Sequence, residues 1–406
     1  MSKTIIIIGA GLAGLSAALQ AAENGCNVKL VSSLPSERAQ SVMAEGGINA
    51  ALNTKDENDS PEEHFTDTIK AACGLADPNA VWGMTQAAPE LVHWLLKLGV
   101  KFNMSGYDDV DLRNFGGQKK KRTAFAQSDT GKQIMTAMID AVRRKEASGM
   151  VERFSHHSFL TLRLCGNICC GCVIRDEYSQ ETVELPGDAV IVATGGMHGL
   201  FGNTTGSLSN TGEVTAELFR LGVPLANGEM IQYHPTTVKC GGKRMLISEA
   251  ARGEGGRLFA MKDGKQWYFM EEKYPELGNL MPRDITAREI WKVSHESEVF
   301  LDMTEISEEI ISNKLSGLAD DCMTYLHKDI RKEPVSVLPG IHYFMGGILV
   351  DEQHRTPIQN LYAAGECCAQ YHGANRLGGN SLLGALYGGR VAAKSACEQA
   401  DVVDLS

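Results

Sequence analysis

Ionisable side chains that could bind a small anion and move a proton are spread along the second half of the chain. Arg376 ends the run His-Gly-Ala-Asn-Arg, and Arg283 lies in Met-Pro-Arg-Asp. A guanidinium suits carboxylate binding because it offers two parallel hydrogen bonds and keeps its charge at neutral pH. Each arginine taken alone fits a structural ion pair equally well, so these two motifs leave both interpretations open.

Four further side chains could take part in the same chemistry. Glu249 and Arg252 stand three residues apart, so on a helix they would share one face and could pass a proton between them. His234, before Pro235, and His342 add imidazoles that can donate hydrogen bonds or, near neutral pH, protons. The alternatives are a helix salt bridge and histidines that only cap strands.

The N-terminal segment predicts the elements that would position such a site. Thr4–Ile8 is a β-branched apolar run, Gly9–Gly14 reads Gly-Ala-Gly-Leu-Ala-Gly, Leu15–Asn24 has a helical pattern, and Val28–Val31 predicts a second strand. A strand, a glycine-rich turn and a helix in this order are typical of a dinucleotide-binding βαβ unit.

Each glycine of the turn has its own physical role in that interpretation. Gly9 permits the tight turn, Gly11 lets the backbone approach a pyrophosphate at the helix N-terminus, and Gly14 allows close helix–strand packing. The second strand ends in Ser32-Ser33 and lacks the usual acidic residue, so another group must hold the adenosine ribose.

Further elements follow from periodicity and turn residues. We expect helices at 61–72, 79–98 and 131–145, strands between 151 and 185 around a Gly166-Asn167 hairpin turn, and a buried strand at 188–196. The basic run Lys119–Arg122 is expected to be a solvated loop.

Composition limits the classes of function. The 406 residues are 43% hydrophobic and 22% charged, as in ordinary globular proteins. A net charge of -11 disfavours nucleic acid and anionic membranes as partners. No apolar run reaches the roughly 18 residues of a membrane span, and none resembles a signal peptide, so we expect a cytoplasmic protein that does not itself span a membrane.

The cysteines do not predict a metal site. Eleven cysteines are present, and the cluster Cys165, Cys169, Cys170 and Cys172 matches no zinc or iron–sulfur spacing. Its members would alternate along hairpin strands, so we interpret them as structural and expect no bound metal.

Six motifs, taken together, resemble a known family. They are Gln232–Thr236, Leu246–Gly256, Met281–Asp284, His342–Gly347, Leu361–Glu366 and His372–Leu382. Their order and spacing are similar to those of the flavoprotein subunits of succinate dehydrogenase and fumarate reductase. L-aspartate oxidase and the soluble fumarate reductases belong to the same superfamily. The resemblance runs from Lys3 to about Ala393.

The resemblance implies an α/β fold that binds FAD. A Rossmann-like FAD-binding domain would comprise residues 1–235 and 339–406, with an inserted α+β capping domain at 236–338. The residues expected to bind the cofactor are Gly9, Gly11, Gly14, Ser32, Ser41, Gly46, Gly47, Thr194, Gly195, Glu213, Glu366, Arg376, Asn380, Ser381 and Leu382.

The resemblance also implies a reaction. Reduced flavin N5 would transfer a hydride to a C4 dicarboxylate, converting fumarate to succinate, and Arg283 would supply the proton with resupply through Glu249 and Arg252. The expected catalytic residues are Arg283, Glu249, Arg252, His234 and His342, and the expected substrate-binding residues are Arg376, His342, His234, Ser248 and Phe115.

Two departures from the family pattern modify this expectation. Gln40 stands where the membrane-bound complexes carry a histidine that links the flavin covalently. A carboxamide is a poor nucleophile, so we predict that FAD is bound non-covalently. The chain ends at Ser406, without the long helical C-terminal domain of the complex-forming members and of aspartate oxidases. That length favours a soluble fumarate reductase-like enzyme.

Alternatives stay open at this stage. L-aspartate oxidase activity, reduction of a related unsaturated acid, and a non-catalytic FAD-binding subunit all share much of this pattern. The electron donor is not specified by the sequence, and an iron–sulfur partner is one candidate.

Overall fold

Residues 2–400 are described by the computed structural model of the chain. The helices are α1 (Leu12–Glu23), α2 (Pro61–Ala72), α3 (Pro78–Lys97), α4 (Thr130–Ala147), α5 (His198–Phe201), α6 (Glu213–Arg220), α7 (Glu249–Gly253), α8 (Phe269–Lys273), α9 (Arg283–Val293), α10 (Glu308–Lys314), α11 (Ser316–Asp321) and α12 (Asn380–Gln399). The three longer helices predicted between residues 61 and 145 are present within two residues at each end.

The strands form several sheets. They are β1 (Thr4–Ile8), β2 (Asn27–Ser32), β3 (Ile48–Asn49), β4 (Leu112–Arg113), β5 (Thr123–Ala124), β6 (Val151–Ser155), β7 (His157–Cys165), β8 (Ile168–Asp176), β9 (Thr182–Pro186), β10 (Ala189–Val192), β11 (Leu225–Ala226), β12 (Ile231–Cys240), β13 (Lys243–Leu246), β14 (Arg257–Lys262), β15 (Lys265–Trp267), β16 (Val299–Asp302), β17 (Val335–Ser336), β18 (Leu338–Phe344), β19 (Gly347–Leu349), β20 (Leu361–Ala363) and β21 (Cys368–Ala369).

A five-stranded parallel sheet carries the N-terminal turn. Its strand order is β20-β10-β1-β2-β6, with β1 at the centre. The four isoleucines of β1 are buried, as expected for a parallel strand covered on both faces. The predicted strand 188–196 ends at Val192, because the chain turns away at Gly195, which has a φ of +74°.

Helix α1 begins at Leu12, three residues earlier than the sequence pattern predicted. Gly11 is its N-cap, so Gly14 lies within the first turn of the helix. A Cβ atom at Gly14 would lie 1.8 Å from the carbonyl oxygen of Gly9. The predicted role of Gly14 in close packing is therefore confirmed, and α1 starts directly at the turn.

The C-terminal helix α12 packs against α1. The hydroxyl of Ser16 donates to the backbone oxygen of Leu386 at 2.7 Å, and a Cβ at Gly389 would lie 2.3 Å from the oxygen of Ala13. The two ends of the chain thus share one hydrophobic core around the parallel sheet.

An antiparallel sheet of β7, β8 and β9 covers the other face of the parallel sheet. Its β7–β8 hairpin turns at Gly166-Asn167, as the sequence predicted. Cys169 and Cys172 are buried in the core between the two sheets, and Cys165 is exposed. Within residues 2–400, no cluster of three or more histidine, cysteine or acidic side chains is arranged to hold a metal ion.

The middle of the chain has a hydrophobic core of its own. Strands β14 to β17 form an antiparallel sheet, and residues from Ile247 to Val337 pack into this core together with Phe115. The division into an FAD-binding and a capping domain stays a proposal. The proposed boundaries at 235/236 and 338/339 fall within β12 and at the start of β18, which pair with each other. Residues 401–406 of the proposed third segment lie outside the described residues.

None of the helices within the described part of the chain is long and apolar enough to cross a membrane.

The expectation that Lys119–Arg122 is a solvated loop is wrong for its last residue. Arg122 is fully buried, and its guanidinium contacts Asp59 at 2.8 Å and Asp67 at 3.0 Å. The residue directly precedes β5, which pairs with β3, and this places its side chain between the Asp59 loop and α2. The two buried carboxylates require a cation at this point.

We predict that Arg122→Ala lowers the free energy of unfolding by about 3–5 kcal/mol, because it leaves two buried carboxylates without a cation. Lys121→Ala is the matched control. Lys121 is exposed and lies 3.5 Å from Glu57, so its loss should cost less than about 1 kcal/mol. Urea unfolding of both variants measures the difference, and equal stabilities would contradict the structural role of Arg122.

Candidate active site

A cavity of about 570 Å³ lies at the carboxyl ends of the parallel strands. The residues that follow β1, β2, β10 and β20 all line it. This edge is where open α/β sheets bind their ligands, because the loops that leave neighbouring strands converge there. The other walls come from β12, β18 and the segment inserted between them.

The turn after β1 shapes one end of the cavity. Gly9 has a φ of +111°, and a Cβ there would lie 2.2 Å from the oxygen of Ala193. The amide of Leu12, in the first turn of α1, donates to Ser41 Oγ at 3.2 Å. The hydroxyl of Ser32 is buried and has no hydrogen-bond partner among the described residues. A cofactor with ribose and phosphate oxygens would meet a narrow backbone turn, a helix N-terminus and a free hydroxyl here.

Most of the predicted cofactor residues meet at this cavity. Its lining includes Gly9, Gly11, Ser32, Ser41, Gly46, Gly47, Thr194, Gly195, Glu213, Glu366, Arg376, Ser381 and Leu382. Gly14 does not line the cavity and acts through packing.

Asn380 also lies outside the lining. Its side chain is buried behind the cavity, where Oδ1 accepts from Asn49 Nδ2 at 2.7 Å and lies 2.9 Å from His64 Nε2, while Nδ2 donates to Thr68. The side chain of Asn380 therefore connects the start of α12 to α2 and does not point at the cavity.

Glu366 is positioned by a histidine that the sequence did not single out. Its Oε1 accepts from the amide of Phe344 at 3.0 Å and lies 3.1 Å from His198 Nε2. His198 Nδ1 in turn contacts the hydroxyl of Thr204 at 2.7 Å. The site also includes Gln40, which is half-buried and lines the cavity.

The substrate side of the cavity contains a buried ion pair. Arg283, at the start of α9, places Nε 2.7 Å and Nη2 2.6 Å from Glu249 Oε2. Its third nitrogen, Nη1, donates to Gln232 Oε1 at 3.1 Å. The amide of Gly116 donates to Glu249 Oε1 at 2.8 Å. Gln232 therefore fixes the orientation of the guanidinium, and the amide of Gly116 fixes that of the carboxylate.

Arg252 lies one helical turn after Glu249 on α7, as the spacing predicted. Its Nη2 is 3.5 Å from Glu249 Oε1, and its Nη1 donates to the oxygen of Asn279 at 2.6 Å. Burial alone would raise the pKa of Glu249, but Arg283 and Arg252 outweigh it and bring that pKa below its usual value. Glu249 is therefore an anion in contact with two guanidinium groups.

The two predicted histidines lie side by side. The rings of His234 and His342 are 5.1 Å apart between centroids, and Thr205 Oγ1 is 2.7 Å from His342 Nδ1. Burial, followed by the charge of Arg283, lowers the pKa of both imidazoles well below the usual value. Both rings are neutral at pH 7, so they can donate hydrogen bonds but add no positive charge.

Arg376 forms another wall of the cavity. Its guanidinium stacks 4.4 Å above the ring of Tyr343, Nη1 donates to the oxygen of Leu377, and the buried Nε has no partner within residues 2–400. Burial, followed by the charge of Arg283, lowers its pKa to about 9. At neutral pH it stays largely charged and retains donors for an anionic ligand.

Ser248 and Phe115 complete the predicted set. Ser248 caps the N-terminus of α7, where its Oγ accepts weakly from the amide of Ala250 at 3.4 Å and keeps its own proton to donate. Phe115 is buried and lines the cavity. All the predicted catalytic and substrate-binding residues except Arg252 line the cavity directly.

Besides His198, the sequence interpretation missed three residues that position this site. Gln232 and Tyr343 lie within the histidine motifs Gln232–Thr236 and His342–Gly347, but no role was assigned to them there. Thr205, within Asn-Thr-Thr-Gly, carries no pattern that points to chemistry, and only the pairing of its segment with Ile341 brings it to His342.

Comparison with known proteins agrees with this geometry. The profile of the FAD binding domain family matches residues 4–382. The succinate dehydrogenase flavoprotein subunit of Bacillus subtilis (strain 168) is 44% identical over 413 residues, covering 100% of this chain and 70% of that protein. The chain belongs to the family of succinate dehydrogenase and fumarate reductase flavoproteins.

Two other relatives show the range of the family. L-aspartate oxidase of Streptomyces coelicolor is 34% identical, covering 97% of this chain and 68% of that protein. A solved E. coli quinol fumarate reductase has a TM-score of 0.91 and 30% identity, covering 98% of this chain and 70% of that chain. The chain is thus an FAD-dependent flavoprotein oxidoreductase, and the predicted FAD cofactor is confirmed.

Proposed function

We propose that this flavoprotein reduces fumarate to succinate, or acts on a closely related C4 dicarboxylate. The observation that carries the proposal is the buried Arg283–Glu249–Arg252 array next to Arg376 in a cavity that also meets the dinucleotide turn. These four side chains carry three positive charges and one negative charge. Their excess of two positive charges matches a dianionic substrate.

The two carboxylates of the substrate would be held at different ends. Arg376 has a buried, unpartnered Nε and binds one carboxylate, with His342 as a second donor. His234 and Ser248 bind the other carboxylate through neutral donors. Phe115 lies against the substrate plane. Donors fixed in this way stabilise the charge that develops on the substrate during reduction.

When bound, reduced FAD supplies the hydride equivalent. Gly9, Gly11 and Ser32 would hold its adenosine and phosphate portion, and Gly46, Gly47 and Glu366 its flavin portion. The carbon next to the site of hydride addition then takes one proton, which completes the conversion of the alkene to CH₂–CH₂. The pKa values of the two buried histidines lie well below the usual value, so at pH 7 both rings have already lost the proton that an imidazolium would donate, which leaves Arg283 as the proposed donor.

The proton on Arg283 would be replaced through Glu249. The two side chains share two short contacts, and Arg252 lies on the far side of the same carboxylate. Arg283 can give up its proton because the carbanion is far more basic than guanidine, and the anionic Glu249 restores that proton after it has itself taken one from Arg252.

The electron donor is proposed to be external to this chain. The relatives include flavoprotein subunits, and an iron–sulfur protein is one candidate partner. A cytoplasmic location, expected from the sequence, also stays a prediction.

The direct test is an anaerobic assay of the FAD-loaded protein with a dithionite-reduced viologen and fumarate. We expect fumarate-dependent viologen oxidation and succinate formation. The parallel aerobic assay uses L-aspartate and follows hydrogen peroxide. Peroxide formation with L-aspartate, without fumarate reduction, would replace the proposal by L-aspartate oxidase activity.

The attachment of FAD generates a second prediction. Gln40 lines the cavity and stands where the resemblance places the covalent histidine, and its carboxamide is too weak a nucleophile to attack the flavin methyl carbon. Denaturation in acid followed by gel filtration should therefore release all the yellow colour as free FAD. Gln40→His offers a comparison in which any covalent attachment would appear. Flavin fluorescence on the wild-type band of a denaturing gel would contradict the prediction.

Proton delivery generates a third prediction. Arg283→Ala should slow reoxidation of the pre-reduced enzyme by fumarate at least about 10²–10⁴-fold, because the acid and its charge are both lost. Arg283→Lys should keep part of the activity, since an ammonium can also donate. Glu249→Gln should slow the reaction less than Arg283→Ala, because the proton donor itself is still present.

Stopped-flow absorbance of the flavin measures each rate. Dithionite reduction and FAD content serve as controls that the variants remain loaded. If Arg283→Ala reoxidises within about tenfold of the wild type, Arg283 is not the acid.

A further inference from the structure

Arg244 is a cation without a counterion at the edge of the cavity. It lies on β13, half-buried, and no carboxylate of residues 2–400 comes within 4.0 Å of its guanidinium. Its Nε donates to Thr237 Oγ1, and its Nη2 donates to the backbone oxygens of Thr237 and Leu338. Nη1 has no hydrogen-bond partner within the same residues. Burial lowers the pKa of Arg244, and no acidic neighbour offsets that effect.

A second space reaches Arg244 from outside. A surface groove of about 590 Å³, which we call the Trp291 groove, is lined by Trp291, Tyr233, His295 and Arg244 among others. Arg244 also lines the active-site cavity, so it lies on the wall that the two spaces share. No aspartate or glutamate occurs among the described residues that line the groove.

Two hydrogen-bonded segments, 203–205 and 341–342, form the wall that the two spaces share. The amide of Thr205 donates to the oxygen of Ile341 at 2.9 Å, and the amide of Ile341 donates to the oxygen of Asn203 at 3.1 Å. Asn203 and Ile341 face the groove, while Thr205 and the next residue, His342, face the cavity. A ligand that passes this wall therefore arrives directly at a substrate-binding histidine.

We propose that the Trp291 groove is the entrance for the dicarboxylate substrate and that Arg244 is its first binding point. The inference rests on the proposed function. A dianion that approaches a protein of net charge -11 is repelled over most of the surface. An acid-free groove that ends in one uncompensated guanidinium offers the favourable route, and Nη1 gives the incoming carboxylate a donor.

The test measures how fast a dicarboxylate reaches the site. Malonate, which cannot be reduced, is mixed with the oxidised FAD-loaded enzyme, and flavin absorbance is followed by stopped flow at several salt concentrations. Arg244→Gln should lower the association rate constant about fivefold to tenfold at low salt and flatten its salt dependence. The dissociation rate constant should fall by a similar factor, leaving the Kd within about twofold, because Arg244 stabilises passage and not the final complex.

Matched variants distinguish a role of Arg244 in guiding the ligand from a general charge effect and from a role in the final binding site. Lys239 stands opposite Arg244 in the β12–β13 ladder, is exposed and lines neither space, so Lys239→Gln should leave the association rate within about twofold. Arg244→Lys should retain most of the rate. Arg376→Lys should instead raise the Kd at least about tenfold through faster dissociation, because it alters the final binding site.

A second pair of variants leaves the contacts of Arg244 intact. Ser294 lines the groove at the end of α9, so Ser294→Glu should slow association several-fold while Ser294→Gln, of equal size, should not. If Arg244→Gln fails to retain FAD, this pair of variants still tests whether the dicarboxylate enters through the Trp291 groove. An unchanged association rate in Ser294→Glu and in any folded Arg244→Gln would overturn the entry route. Failure of the wild type to bind malonate or reduce fumarate would reject the proposed function itself.

Discussion

The candidate site depends on burying one carboxylate between two guanidinium groups. Glu249 would be costly to bury as an anion, and Arg283 and Arg252 make its burial possible from opposite sides. The amide of Gly116 satisfies a further lone pair of the same group. Removing any one partner leaves a charge that the interior cannot solvate. The array is therefore held in a single arrangement, which is the condition for positioned proton transfer.

The same constraint explains why the two parts of the chain cannot be separated without losing the site. Glu249, Arg252 and Arg283 belong to the inserted segment, whereas Arg376 and the loops after the parallel strands belong to the sheet. Strands β12 and β18 pair where the inserted segment leaves and returns, and His234 and His342 lie on these two strands. The histidines thus sit at the junction itself, where any relative shift of the two parts would change the cavity.

Sequence reasoning worked best where one local pattern determines the structure. The isoleucine strand, the glycine turn and the helices of residues 61–147 follow from periodicity and turn chemistry, and the motif residues Arg283, His342 and Arg376 meet as expected. Sequence reasoning failed where contacts between distant parts of the chain determine the position of a side chain. Arg122 is buried because it forms ion pairs with two carboxylates that are distant in sequence. The side chain of Asn380 turns toward α2 and away from the cavity. Thr205 enters the site only through strand pairing.

The contact between α1 and α12 constrains how this protein is made. The core around the first strand and its glycine turn is incomplete until β20 and α12 have been synthesised, more than 350 residues later in the chain. Contacts of such long range form slowly and leave apolar surface open meanwhile. The nucleotide pocket of the nascent chain therefore stays unfinished while these residues are translated, and cofactor capture has to wait for the synthesis of α12.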